Sequence, residues 1–518
     1  MKTRKEKYIL IILDGWGIAK PSIGNAVTLA KTPTYDFFIK NYPNTQLSAH
    51  GVSVGLPKHQ DGNSEAGHMN IGAGRIVLQD DIFITKAIEN GTFFRNPAFL
   101  EALNHARQNK SNVHLMGVLS GDQSPHVNPE HVKAILKLVE SRGLKKVFLH
   151  LFTDGRDSSQ YSSIRFLKDL RSGFRNGEVI ATIVGRFYAM DRNKVWQRTE
   201  MAYDAIVNGV GIKVNSAEEA ISQAYNRGET DEFIKPSVIC KNGKPVGQIK
   251  DNDSIIFFNL RSDRARQLTK LFVQVDVCEK NKCSIKRSEH LKNIKFVSMT
   301  DFGPDLDSIL TAFPSRDVKQ TLPMQLSNLR QLYISESEKF SHVTYFFNGG
   351  YKDPVANEHR EMIPSPSVDS YAQKPEMSCF QLVKKVIDYT KADKYDFITV
   401  NFANPDMVAH TGVLKSGIRA VEAVDKCLNN MKESFKGMDV TMFITADHGN
   451  IEEMIDLDTG EVNTSHSTNP VPFILVNKKY KNKKLRGNGI LGDIAPTILD
   501  VMDIKKPSQM TRNSLIIK

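Results

Sequence analysis

Apolar runs rich in β-branched residues recur along the chain and are separated by polar, helix-period stretches. "YILIIL" (8–13), "VFLHLF" (147–152), "VIATIV" (179–184), "SIIFFN" (254–259), "FITVNF" (397–402), "TMFIT" (441–445) and "PFILV" (472–476) read as buried strands. Between many of them lie amphipathic stretches such as "HVKAILKLVESRG" (131–143) and "GIRAVEAVDKCLNNMKESF" (417–435). Alternation of this kind predicts an α/β fold with mainly parallel sheets. The pattern contains no internal repeat and no low-complexity tract.

At 518 residues the chain exceeds one ordinary core, so two domains are expected. Three of the predicted strands end directly before or near an aspartate: Asp14 in "YILIILDGWG", Asp406 in "FITVNFANPD" and Asp447 in "TMFITADHGN". In open α/β sheets ligands bind at the carboxyl ends of strands. One of these strands opens the chain and the other two lie in its last third. If all three share a sheet, the segment between them is a guest. The expected architecture is a discontinuous domain of residues 1–79 and 312–518, with an inserted α/β domain of residues 80–311.

Composition narrows the class. Hydrophobic residues make up 40% of the chain and charged residues 25%, as in a soluble globular protein. Lys and Arg outnumber Asp and Glu by 69 to 58, a net charge of +11. Apart from short runs such as "NKKYKNKKLR" (477–486), that charge is scattered rather than gathered into the stripe of a nucleic-acid binder. An anionic small molecule is therefore the expected partner, and nucleic acid is not.

The five cysteines, Cys240, Cys278, Cys283, Cys379 and Cys427, form no disulfide framework, which suits reduced thiols and a cytoplasmic setting. Cys278 and Cys283 lack the second pair of a zinc site and sit in a polar stretch, "VCEKNKCSIKRSEHLKN" (277–293), to which no function attaches. The basic start imitates a signal peptide, but its apolar run is short, ends at Asp14 and lacks a cleavage site. No stretch approaches the roughly 20 apolar residues of a membrane span.

Candidate chemistry gathers at the strand ends. Asp406 and His410, four apart in "NPDMVAHTG", share a face if one helical turn joins them. Asp447 and His448 are adjacent, and His466 precedes another predicted strand. With Asp14 these are mixed carboxylate and imidazole ligands, enough for two cations and better suited to Mn²⁺ or Zn²⁺ than to Ca²⁺. Each aspartate alone is more simply a cap or turn former, and each histidine a structural hydrogen-bonding residue. The six together are harder to explain that way.

"DGNSEAGHMNIGAGR" (61–75) holds four glycines, one arginine and Ser64. It reads as a turn, as a phosphate-cradling loop, or as a loop presenting a nucleophilic serine, with a helix after it lending its dipole to an anion. Beside two cations the Ser64 hydroxyl becomes a nucleophile at neutral pH. The middle of the chain supplies Arg156, Arg186, Arg192, Arg261 and Arg264 near predicted strand ends, in "TDGRDSS", "VGRFYAMDRNKVWQR" and "NLRSDRARQL". Singly they are explained by surface pairing with Asp191 and Asp263. As a group they suit bidentate recognition of a compact anion. Asp157, the carboxylate among them, is placed to manage a substrate hydroxyl proton.

These residues resemble the 2,3-bisphosphoglycerate-independent phosphoglycerate mutases of the alkaline phosphatase superfamily. The likeness runs through nearly the whole chain and rests on "LDGWG", "DGNSEAGHMNIGAGR", "DGRD", "GRFYAMDR", "RSDRARQ", "HVTYFFNGG", "KPEMS", "NPDMVAHTG" and "TADHGN". It implies two Mn²⁺ ions, one on Asp406, His410 and His466, the other on Asp14, Ser64, Asp447 and His448. It further implies that 3-phosphoglycerate phosphorylates Ser64 transiently, that the glycerate reorients, and that its 2-hydroxyl takes the phosphoryl group back. One domain is expected to close over the other during this exchange.

The resemblance places Arg156, Asp157, Arg186, Arg192, Arg261 and Arg264 around the phosphoglycerate, with Lys339 reaching it from the metal-bearing domain. The family's Gly-Gly-Val-His-Ser-His run reads "LSGDQSPHVNPEH" here, which makes His126 the candidate for its first histidine. A monomeric glycolytic enzyme is expected. The rival readings are a phosphatase or sulfatase with the same metal and serine chemistry, and a basic nucleic-acid-binding protein. The first would release phosphate from 3-phosphoglycerate, and the second would bind nucleic acid with steep salt dependence.

Overall fold

A computed structural model describes residues 6–121, 123–175, 177–283, 285, 290–303, 305–306 and 308–517. The basic start (1–5) and part of the polar stretch (284 and 286–289) lie outside the described residues. The chain divides into two compact units, Met1–Gln79 with Arg316–Lys518, and Asp80–Ser315. Each is α/β and has its own hydrophobic core.

The first unit is built on an eight-stranded sheet. Its order is Glu358–Ile363, Gln331–Glu336, Phe397–Phe402, Lys7–Leu13, Val440–Thr445, Val471–Val476, Asn44–Ser48 and Gly489–Ile490. The first five strands run parallel and Val471–Val476 turns antiparallel. Ile9–Leu13 and Phe397–Phe402 are buried residue after residue, as expected for parallel strands covered on both faces. Helices Cys379–Lys391 and Leu414–Ser434 present apolar stripes that pack together. In register, Leu13 lies beside Phe402 and Ile12 beside Thr445. The residues following these strands therefore emerge side by side at one sheet edge.

The second unit holds a nine-stranded sheet. Its main path is Leu310–Phe313, Lys295–Thr300, Ser254–Phe257, Val113–Leu119, Val147–Thr153, Val179–Gly185, Ser237–Lys241 and Ile212–Val214. Leu119, Thr153 and Gly185 stand in one register row across three parallel strands. The row continues outward into Ser120, Asp154 and Arg186.

Candidate active site

In the first unit the chain brings Asp14, Ser64, Lys339, Asp406, His410, Asp447, His448 and His466 together at the carboxyl ends of the parallel strands. Asp14 directly follows Lys7–Leu13, and Asp447 and His448 follow Val440–Thr445. Asp406 lies in the short helix Asn404–Ala409, so its carboxylate and the His410 ring share a side, with His410 Nε2 3.3 Å from Asp406 Oδ1. Lys339 follows the end of Gln331–Glu336.

Ser64 corrects the loop reading of "DGNSEAGHMNIGAGR". It is the first residue of a ten-residue helix, Ser64–Ala73, whose N-cap Asn63 accepts a hydrogen bond from Ala66 N at 2.9 Å. Gly67 and Gly72 are helical and serve close approach rather than turning. A Cβ on Gly67 would stand 2.5 Å from Asp447 O, and one on Gly72 would stand 1.8 Å from Phe347 O. The helix thus lies tight against the strand-end loop that carries Asp447, with its N-terminus at the cluster. The Ser64 Oγ is 2.9 Å from His448 Nε2 and 3.4 Å from Asp14 Oδ1, and it accepts from Lys339 Nζ at 2.7 Å.

Two groups of donor atoms converge here. Asp406 Oδ1, His410 Nε2 and His466 Nε2 lie 3.1 to 3.4 Å from one another. Asp14, Asp447 and His448 form a second group, all fully buried, and His448 is also within reach of Asp406 and His466.

The ring nitrogens away from the cluster face backbone carbonyls, which only accept. His410 Nδ1 is 2.8 Å from Thr464 O, His466 Nδ1 2.8 Å from Gly62 O, and His448 Nδ1 3.2 Å from Gly449 O. Each Nδ1 therefore carries a proton, which leaves Nε2 of each ring as the atom that faces the cluster. Outer hydrogen bonds of this kind fix the tautomer of metal-ligating imidazoles.

Electrostatics follow from three buried carboxylates around one ammonium, two of them in contact with it. Burial disfavours the Lys339 charge, but Asp14, Asp406 and Asp447 outweigh it and raise the pKa above the usual lysine range. Lys339 Nζ lies 2.6 Å from Asp14 Oδ1 and 2.7 Å from Asp406 Oδ2. Burial and the neighbouring Asp447 push Asp14 up to about 6. Burial pushes His448 down to about 3. His410 is raised, because the hydrogen bond and charge of Asp406 overcome its burial.

A family model described as the metalloenzyme superfamily matches residues 6–506. The 2,3-bisphosphoglycerate-independent phosphoglycerate mutase of Clostridioides difficile (strain 630) is 48% identical over 519 residues, covering 99% of this chain and all of the relative. That of Clostridium acetobutylicum is 47% identical, covering 99% of each. The chain belongs to this mutase family. A solved structure of Leishmania mexicana phosphoglycerate mutase, at low cobalt concentration, matches with a TM-score of 0.74 and 28% identity over 100% of this chain and 99% of that one. The chain is accordingly an isomerase of the phosphoglycerate mutase class, and its donor groups and family make it a metalloenzyme with a divalent metal cofactor.

The mutase's second unit gathers most of the remaining sequence candidates. Arg186 is buried and donates through Nη1 to both Asp154 and Asp157. The buried His126 ring has its Nε2 3.7 Å from Asp157 Oδ2, and burial and the Arg186 charge push it down to about 4. Arg192 pairs with Asp263 at 2.8 Å, and Arg264 donates to Met190 O at 3.3 Å. Burial lowers the Arg264 pKa, and the charges of Arg186, Arg192 and Arg156 lower it further, so these guanidiniums share one electrostatic neighbourhood. Arg156 is half exposed, with Glu232 3.6 Å away. Arg261 lies in the segment after Ser254–Phe257 that also holds Arg264.

Several participants escaped the sequence reading. Asp154 accepts from Ser120, from Arg186 and from the backbone N–H groups of Arg156 and Asp157. Burial alone would raise its carboxyl, yet the Ser120 bond and the Arg186 charge hold it below the usual carboxylate range. His68 Nε2 faces Asn401 Nδ2 at 3.0 Å, so it accepts there and its Nδ1 donates towards Ser64 O. Asn401 also donates to Asp14 Oδ2 at 2.7 Å, and Asn450 to Asp406 Oδ1 at 2.7 Å. Asp154, His68 and Asn450 sit inside the quoted motifs, so their proximity to the candidates was the available signal.

Proposed function

We propose that the enzyme interconverts 3-phosphoglycerate and 2-phosphoglycerate, in glycolysis and gluconeogenesis, through a phosphoserine on Ser64 and without 2,3-bisphosphoglycerate. The observation that carries this reading is the Ser64 hydroxyl at a helix N-terminus, within 3.4 Å of Asp14, His448 and Lys339. Two Mn²⁺ ions are the proposed cofactors, with Asp406, His410 and His466 holding one and Asp14, Ser64, Asp447 and His448 the other. When bound, they lower the pKa of the serine hydroxyl and neutralise charge on the transferring phosphoryl group.

The chain's own groups do the rest. Lys339 Nζ donates to Ser64 Oγ and stabilises its oxyanion during attack on phosphorus. The N-terminal N–H groups and dipole of Ser64–Ala73 then favour the phosphoserine anion. Arg156, Arg186, Arg192, Arg261 and Arg264 bind the carboxylate and phosphate of the substrate, and the inserted unit is proposed to orient the glycerate. Asp157 hands a proton to the glycerate oxygen that loses phosphate and takes one back from the hydroxyl that receives it. His126, neutral at working pH, offers a hydrogen bond to the substrate. The scattered charge and the small-molecule chemistry support a monomeric cytoplasmic enzyme with no nucleic-acid partner.

The test is Ser64→Ala, assayed by coupling 2-phosphoglycerate formation to enolase with added Mn²⁺ and no bisphosphoglycerate. Turnover should vanish while the fold and metal binding persist. Retention of a tenth of the activity, about 1.4 kcal/mol of barrier, would rule out the covalent route. Phosphate released from 3-phosphoglycerate by the unaltered enzyme in place of 2-phosphoglycerate would favour the phosphatase reading.

A further inference from the structure

In the second unit a short helix ends in a way that brings two thiols together. The helix Val277–Asn281 is followed by Lys282 in the left-handed region, at φ 52°. The backbone N–H groups of Lys282 and Cys283 both turn back to Cys278 O, the latter at 3.2 Å. In such a helix end the side chains of the first and last of the six residues come into contact, and that contact is commonly apolar. Here both positions are cysteine, and the Cys283 and Cys278 sulfurs stand 2.7 Å apart as free thiols.

Exposure separates this pair from the other cysteines. Cys240, Cys379 and Cys427 are buried, whereas Cys278 and Cys283 are partly exposed. Lys280 and Lys282 beside them are exposed cations, which favour the approach of an anionic reagent. Burial and the Cys278 sulfur push the Cys283 thiol up to about 12, so Cys283 keeps its proton until its partner has reacted.

We propose that Cys278 and Cys283 form a reversible dithiol–disulfide modification site whose oxidant is an anionic low-molecular-weight disulfide. The Cys278 thiol loses its proton to water, and its thiolate attacks one sulfur of the small disulfide. The S–S bond of the reagent breaks, one half leaves as a thiolate, and the other half is joined to Cys278. Cys283 then gives up its proton, attacks the Cys278 sulfur and expels the second half. Two protein thiols are oxidised to one disulfide, and the reagent is reduced to two thiols, which take up the released protons. The helix end holds the two sulfurs together, so the second, intramolecular step outruns release of the mixed disulfide.

The experiment uses the full chain with glutathione disulfide, followed by alkylation and trypsin without reductant. Cleavage after Lys270, Lys280, Lys282 and Lys286 separates Cys278 from Cys283 in sequence, into peptides 271–280 and 283–286. The expected product is these two peptides joined by a disulfide and released by dithiothreitol. Cys283→Ser should instead accumulate glutathione on Cys278, and its mutase turnover should match that of the unaltered chain. Stable glutathione adducts on the unaltered pair, disulfide-linked dimers, or full alkylation of both thiols after exposure would each overturn the proposal.

Discussion

Lys339 and His410 show how the buried carboxylates set the charge of their neighbours. Lys339 remains an ammonium at any working pH because Asp14, Asp406 and Asp447 outweigh its burial. His410 is raised above the ordinary imidazole value for the same reason, through Asp406. A raised folded value means that proton binding stabilises the metal-free fold. That contribution is complete below about 6.5, the unfolded value, and is lost as pH rises through the raised one. A divalent ion held by His410, as proposed, would have to displace this proton, so proton competition would begin at a higher pH than for a free imidazole. At subsaturating Mn²⁺, activity should fall as pH drops through this window, and more Mn²⁺ should restore it. Activity measured against Mn²⁺ at several pH values checks this, and an acid loss indifferent to metal concentration would contradict it. At this scale the residue types were legible in "NPDMVAHTG" and "TADHGN", because carboxylate and imidazole donors have few other reasons to cluster. The tautomers, and the hydrogen bonds of Asn401 and Asn450 to Asp14 and Asp406, were not legible, since they depend on how the folded chain brings separate segments together, 387 residues apart for Asn401 and Asp14 and 44 for Asn450 and Asp406.

The strands and the helix Ser64–Ala73 differ in how openly the chain declares them. Runs such as "FITVNF" are buried throughout and their length and β-branching mark them as strands without reference to the rest of the fold. The Ser64 helix is buried on nearly every side, at Ser64, Ala66, Gly67, His68, Asn70, Ile71, Gly72 and Ala73. A helix with no exposed face has no amphipathic stripe, and its glycines read as turn formers. Their real function is contact, which yields a prediction. An alanine in a helix is ordinarily favoured over glycine by about 1 kcal/mol. In Gly67→Ala the new methyl meets Asp447 O at 2.5 Å and Asp447 Cβ at 2.8 Å, so the helix must shift from the strand-end loop. The variant should remain folded by circular dichroism, melt at a lower temperature, and lose at least about tenfold in turnover, since displacements of about 1 Å at a reacting centre have effects of that size or larger. Normal turnover would show that the helix can move without disturbing Ser64.

Across the whole molecule the two sheets carry different chemistry at their carboxyl ends. Among the described residues, both donor groups that suit a metal lie in the first unit, and the guanidinium cluster lies in the second. Parallel register makes each cluster possible, since Leu13, Phe402 and Thr445 end in neighbouring strands, as do Leu119, Thr153 and Gly185. If the first unit performs phosphoryl transfer and the second orients glycerate, the half-reactions can be uncoupled at Asp157. Asp157→Asn preserves size, and its backbone N–H still donates to Asp154 Oδ1 at 3.0 Å. Arg186 still has Asp154 as a partner, so the local fold should hold. What disappears is the carboxylate proposed to handle the substrate hydroxyl proton when phosphate leaves and again when it returns. Formation of 2-phosphoglycerate should therefore fall severely with metal occupancy unchanged. An activated phosphate ester whose leaving group needs no proton should still phosphorylate Ser64, detected by mass spectrometry after rapid quenching. Absence of that phosphoserine at normal metal occupancy would mean that Asp157 also acts in the phosphoryl-transfer step, and the proposed division of labour between the units would fail.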